Sequence, residues 1–192
     1  IQWAKQAGGT EEDISEAVET DSKGNLYLTG SFSSNATFCS ESLSTATLST
    51  DAFLAKYSPQ GDCQWAVQEG GQLGDVGKDI ATDQQGGIYM AGYFLGDVSM
   101  GGTQLPWIGH NDIFLVKYDT AGQFQWVRHV GGMEMDIANG VATDADGSAY
   151  LTGFFDAEAD FGQQTITGIE GYEIFAAKYS SSGNLQWVKN ET

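Results

Sequence analysis

Carboxylates, two histidines and two cysteines are the groups in this chain with chemistry to offer. His110 and His129 have no serine, cysteine or second histidine at a spacing that would build a nucleophilic triad or a zinc site. The segment Asp144-Ala-Asp-Gly147 resembles the opening of a calcium loop, but further oxygen positions and the closing glutamate are missing. A tight turn accounts for it, with aspartate capping the turn and glycine taking the positive-φ position. The expectation is no cofactor, with Ca2+ as the minor alternative. Acids crowd the segments around Glu134 and Asp136, and sequence does not give their separations, so a carboxylate pair set for glycoside hydrolysis stays open. The pairs Gly8-Gly9, Gly70-Gly71 and Gly131-Gly132 are not phosphate loops, because no helix follows and the surroundings are acidic. Cys39 and Cys63 have two readings. Either they are small buried apolar residues, or they form a bridge made outside the cytosol. The first is favoured, because Cys63 takes the place held by Phe124 and Leu185 in the repeats described below.

The net charge is −18, with only 8 lysines and arginines. Such a surface repels phosphate backbones and anionic lipid, which argues against nucleic-acid and membrane-surface binding. No apolar run is long enough to span a bilayer. The sequence starts at Ile1 without a signal peptide, which reads as a processed or excised segment. Two sequons, Asn35-Ala-Thr and Asn190-Glu-Thr, matter only in a eukaryotic secretory setting. With 26 glycines, 2 prolines and 12% aromatics, the composition suits short-looped β structure.

The elements that must position these groups repeat. Trp3, Trp65, Trp126 and Trp187 recur about sixty residues apart, and each opens the same phrase, as in Trp3-Ala-Lys-Gln-Ala-Gly-Gly and Trp65-Ala-Val-Gln-Glu-Gly-Gly. The chain is one segment, 1–192, with repeats at 3–64, 65–125 and 126–186 and the start of a fourth at 187–192. The second copy predicts strands over 76–82, 87–94, 112–118 and 124–128, with tight turns between the first two and the last two. Ile88 and Met90 on one side of the pleat, and Tyr89 and Ala91 on the other, make a strand apolar on both faces, so its sheet is covered twice. Four antiparallel strands in a meander, buried on both faces, describe a propeller blade. The fold class is all-β: about three four-stranded antiparallel blades of a larger propeller.

The repeated motifs are Thr-Asp-x-x-Gly-x-x-Tyr-x-x-Gly-x-Phe and Asp-x-Phe-x-x-Lys-Tyr-x-x-x-Gly-x-x-x-Trp, the second loosened by Glu173 in the last copy. They resemble the β-propeller repeat of the seven-bladed type (SBBP), common in secreted and surface proteins of bacteria and archaea. That resemblance implies the fold, and it carries over no catalytic residues. Three blades do not close a ring. A buried aromatic hides about 150–250 Å², worth on the order of 4–6 kcal/mol at ~25 cal/mol/Å², so open end blades need cover. The expected partners are therefore further blades of the same chain or other copies of it. Ile1-Gln-Trp3 matches Phe124-Gln-Trp126 and reads as an outer strand.

What recurs in every copy is framework, so function is sought where the copies differ. The variable segments 33–50, 95–111 and 156–172 fall on one rim with the acidic connectors ending at Asp13, Asp75 and Asp136. Candidate ligand-binding residues there are Trp107, His110, Tyr172, Glu134 and Asp136. The alternative for Trp107 and Tyr172 is packing back onto their own blade. His129, equivalent to Gln6 and Gln68, reads as solvated. Lys56, Lys117 and Lys178 are expected to pair with either Asp21, Asp83 and Asp144 or Asp13, Asp75 and Asp136. The expected function is a non-enzymatic module of a secreted or cell-surface protein, serving adhesion, assembly or contact with a protein partner. The alternative is a carbohydrate-binding propeller with a glycan partner. A propeller hydrolase with catalytic residues in further blades is least favoured.

Overall fold

Aromatic and β-branched segments of each repeat pair as four antiparallel strands, with tight turns joining the first to the second and the third to the fourth. The computed structural model describes residues 2–46 and 49–190. The first blade comprises β2 (Asp13–Thr20), β3 (Leu26–Ser33), β6 (Thr50–Tyr57) and β7 (Cys63–Gly71). The second comprises β8 (Asp75–Thr82), β9 (Ile88–Phe94), β12 (Asp112–Tyr118) and β13 (Phe124–Val130). The third comprises β14 (Ile137–Thr143), β15 (Ala149–Asp160), β16 (Thr165–Tyr179) and β17 (Leu185–Asn190). Residues 2–7 form no strand, so the outer strand expected at Trp3 is not made.

Two core clusters cross blade boundaries. Tyr27, Ala52 and Leu54 of the first blade pack with Ile88, Met90, Phe114 and Val116 of the second. Tyr89, Ala91, Ile113 and Leu115 of the second pack with Leu151, Phe155, Phe175 and Tyr179 of the third. Opposite faces of β9 thus serve different neighbours, as its doubly apolar pattern requires.

The segments expected as loops between second and third strands are hairpins. In the first blade they form β4 (Asn35–Phe38) and β5 (Glu41–Ser44), and in the second β10 (Val98–Met100) and β11 (Thr103–Leu105). In the third, β15 and β16 simply run on to Asp160 and from Thr165. Each hairpin crosses to the Gly-Gly at the end of the preceding blade's outer segment. β4 pairs with β1 (Gly8–Gly9), Val98 and Ser99 pair with Gly71 and Gly70, and Asp160 bridges Gly131. A side chain at Gly71 or Gly132 would overlap the carbonyl of Asp97 or Glu158. The Gly-Gly pairs are therefore clasps where two backbones meet. Cys39, at the tip between β4 and β5, is disulfide-bonded to Cys63 of β7, with Cα atoms 4.8 Å apart. The favoured reading of free buried cysteines is corrected: Phe and Leu fill this place in the other copies, and here a bridge ties the hairpin to its blade.

A second contact joins blades at the opposite rim. Trp65 of β7 donates its indole N–H to Thr120 O in the next blade's hairpin turn at 3.2 Å, and Trp126 of β13 donates to Ser181 O at 3.1 Å. Trp3 donates to Pro59 O at 3.0 Å in the same way. Each ring lies on the glycine that closes that turn, Gly61, Gly122 or Gly183. Gly122 and Gly102 both hold positive φ (77° and 81°), but only Gly122 faces a ring, while Gly102 has nothing within 4 Å. Gly102→Ala therefore reports the cost of φ alone, and Gly122→Ala adds the clash with Trp65. We expect Gly122→Ala to cost about 1–3 kcal/mol more by thermal melting; equal losses would remove the ring contact from the account.

Candidate functional site

Lysines at the tight-turn rim are framework. Lys117 Nζ lies 3.3 Å from Asp83 Oδ2 and 2.6 Å from Tyr89 OH, over the Tyr89 ring, and donates to Ser181 O of the next blade. Lys178 repeats the pair with Asp144 at 3.0 Å, and Lys178 and the turn amides hold the Asp144 carboxyl down at about 2. Lys56 lies over Tyr27 and donates to Thr120 O, while Asp21 is taken by Asn25 and Tyr27. The first pairing alternative thus holds for Lys117 and Lys178. Asp144 Oδ1 caps its own turn by accepting from Asp146 N and Ser148 N, and Asp146 is exposed. Among the described residues no three His, Cys, Asp or Glu side chains gather as a metal-binding group.

Asp13, Asp75 and Asp136 do a different job. Their Oδ2 atoms accept the second amide of each clasp, Gly9 N at 2.6 Å, Gly71 N at 2.8 Å and Gly132 N at 2.6 Å. Across each described junction a second acid arrives from the preceding blade's third strand, because Thr50 bridges Gly74 and Asn111 bridges Met135. Asp51 accepts from Gln68 Nε2 at 2.6 Å, and Asp112 accepts from Ile108 N at 2.8 Å and meets His129 Nε2 at 3.0 Å. Asp75, Asp112 and Asp136 are 0% exposed, and each keeps an Oδ1 without a hydrogen-bond partner. Burial, with the Asp51 charge adding to it, pushes the Asp75 carboxyl up to about 8. Burial, with Asp112 and Asp156 nearby, pushes Asp136 up to about 7. Asp136 is therefore a junction residue and not the surface contact expected from sequence. His129 is likewise not solvated: Asp112 holds it and its ring packs on Phe94, with centroids 5.4 Å apart.

The other candidates meet at the long rim, between the second and third blades. Trp107 and His110 lie in the loop between β11 and β12, where the indole N–H donates to His110 O at 2.9 Å and Trp107 N donates to Asp97 Oδ1 at 3.0 Å. His110 N donates to Glu134 O at 3.3 Å, which sets this loop against the connector carrying Met133. Tyr172 packs edge-to-face on Phe154 with centroids 4.8 Å apart, and its OH lies 3.8 Å from Met135 Sδ. Local packing thus occurs, yet Trp107 remains 44% exposed and Tyr172 62%. Ile108 at 46% and Met133 at 72% complete the patch. Sequence reasoning missed these two, although Met133 stands where other copies carry Thr10 and Gln72.

The raised carboxyls have a signed consequence. Their folded pKa values lie above the unfolded range of about 4, so the native state holds the extra protons. Their contribution to stability is full below about pH 4 and declines as pH rises through about 7 to 8. Melting temperature is expected to fall by about 3 °C or more between pH 5 and pH 8. Asp75→Asn with Asp136→Asn should flatten that slope and raise the melting temperature at pH 8; an unchanged slope would refute it.

The β-propeller repeat family (SBBP) matches residues 64–93, from the outer strand of the first blade through the second strand of the next. An uncharacterized WD repeat-containing protein of Acanthamoeba polyphaga mimivirus is 31% identical over 150 residues, 71% of this chain. The chain spans 11% of that relative's length. No helix of the described residues is long and apolar enough to cross a membrane. The antiparallel four-stranded blades and the matched motif agree: the fold is that of propeller blades, and residues 64–93 carry the SBBP β-propeller repeat.

Proposed function

We propose that the chain is a non-enzymatic β-propeller module for protein–protein interaction, with the Trp107, Ile108, Met133 and Tyr172 patch as its contact surface. The observation that carries this reading is that four exposed apolar side chains, Trp107, Ile108, Met133 and Tyr172, stand in segments where the copies differ, while repeated residues such as Trp65 and Lys117 are consumed by blade and junction contacts. The WD-repeat relative agrees with a propeller of this kind. A secreted or cell-surface role in adhesion or assembly is supported by the Cys39–Cys63 bridge, since such bonds persist in oxidising compartments. Further blades, of the same chain or of another copy, fit the two outer faces. Ile14 and Val18 are exposed on the first blade, and Ile169 and Ile174 on the third.

The same aromatic pair would serve a carbohydrate ligand, so peptide and glycan arrays are screened together. Peptide binders should weaken about tenfold or more with Trp107→Ala or Tyr172→Ala, at unchanged melting temperature. Binders insensitive to both substitutions would refute the surface, and aromatic-dependent binding to glycans alone would favour the carbohydrate reading.

A further inference from the structure

The long rim has a single sign of charge. The segments 95–111, 131–136 and 156–173 contain no lysine or arginine. Of the cations on the flanking strands, Lys117 pairs with Asp83, Lys178 with Asp144 and Arg128 with Gly183 O at the far rim, and Lys189 is exposed on the outer strand of the third blade. Around the apolar patch stand Asp97, Glu134 and Glu158, all exposed, and Asp156, which is paired in register with Tyr172. The contacts that fix the Trp107 loop hold the Asp97 carboxylate, which accepts from Trp107 N, and the Glu134 backbone, whose carbonyl accepts from His110 N. An aromatic face and a flexible thioether among exposed carboxylates fit a chain that alternates cations with apolar groups. Trp107 can take a cation on its ring, and Met133 can adapt to varied aliphatic shapes.

We infer that this patch docks a basic, leucine-bearing segment of another polypeptide, whose lysines or arginines lie over Asp97, Glu134 and Glu158 while its apolar side chains rest on Trp107, Ile108, Met133 and Tyr172. This rests on the reading of the rim as a protein-contact surface. Opposite charge in this arrangement sets partner choice and encounter rate, and the apolar centre holds the complex.

The whole chain is titrated with three peptides in which leucine alternates with lysine, with serine or with glutamate. The lysine peptide should bind about tenfold or more tighter than the serine peptide, and the glutamate peptide should not bind. Glu134→Lys should weaken the lysine peptide about tenfold, whereas Asp62→Lys, the same charge change on the opposite rim, should leave it unaltered. Equal loss in both variants would reduce the effect to net charge and overturn the inference. Equal binding of lysine and serine peptides, both lost in Trp107→Ala, would overturn the basic partner and leave the contact surface standing. Peptide binding indifferent to Trp107→Ala and Tyr172→Ala would overturn both.

Discussion

A tryptophan on the last strand of one blade, laid on the glycine of the next blade's hairpin and bonded to a carbonyl of that turn, sets how these sheets stand together. Trp65 and Trp126 make this contact in the same way. It explains the spacing of the repeat, because the ring must leave one blade at a fixed height to reach the next. It also explains why the hairpins at that rim are uniform: a side chain on the glycine would stand where the ring lies. Two of the core clusters then form between blades, the second sheet reaching a neighbour through each apolar face, while Phe32, Phe38 and Phe53 cluster within the first blade.

The opposite rim is joined by different physics. There the excursion hairpin of one blade pairs with the Gly-Gly of the preceding one, and a buried carboxylate accepts the second glycine's amide. This places two acids side by side at each described junction. Burying unpaired charge is costly, and the raised carboxyls of Asp75 and Asp136 show the response, which is to keep a proton. Glu69 follows the same logic: buried against Tyr118 OH and Gly101 N, its carboxyl is pushed up to about 7, desolvation being the main cause. With both rims fixed, the long loops and connectors are spared from framework duty, and Trp107, Ile108, Met133 and Tyr172 are exposed there at the junction of the second and third blades.

Much of the fold was legible because the blade is a periodic object. The doubly apolar run from Ile88 to Phe94, the Asp-x-x-Gly turns and the tryptophan spacing each have one economical explanation. The strands fell within a residue or two of their places, Asp112–Tyr118 in full. What sequence hid was contact between copies. The Gly-Gly pairs were recognised as not binding phosphate, yet Gly8 pairs with Thr37 and Gly71 with Val98, each in the excursion hairpin of the following blade, and nothing local announces those partners. Asp136 and His129 were misplaced for the same reason, since an acid or histidine at a strand end looks solvated until a neighbouring blade covers it. At the candidate site Trp107 and Tyr172 were found from their type and loop position. Met133 required comparing copies position by position, where a thioether replaces polar residues.

Indole N–H hydrogen exchange tests the blade-to-blade contact most directly, because the chain carries its own control. Trp65 and Trp126 reach a following hairpin, whereas Trp187, paired with Tyr150 in the last described blade, has no such hairpin among the described residues. The account expects slow exchange of the Trp65 and Trp126 indoles and fast exchange of Trp187. Equally fast exchange of all three would show that the rings do not tie the sheets together, and would contradict it.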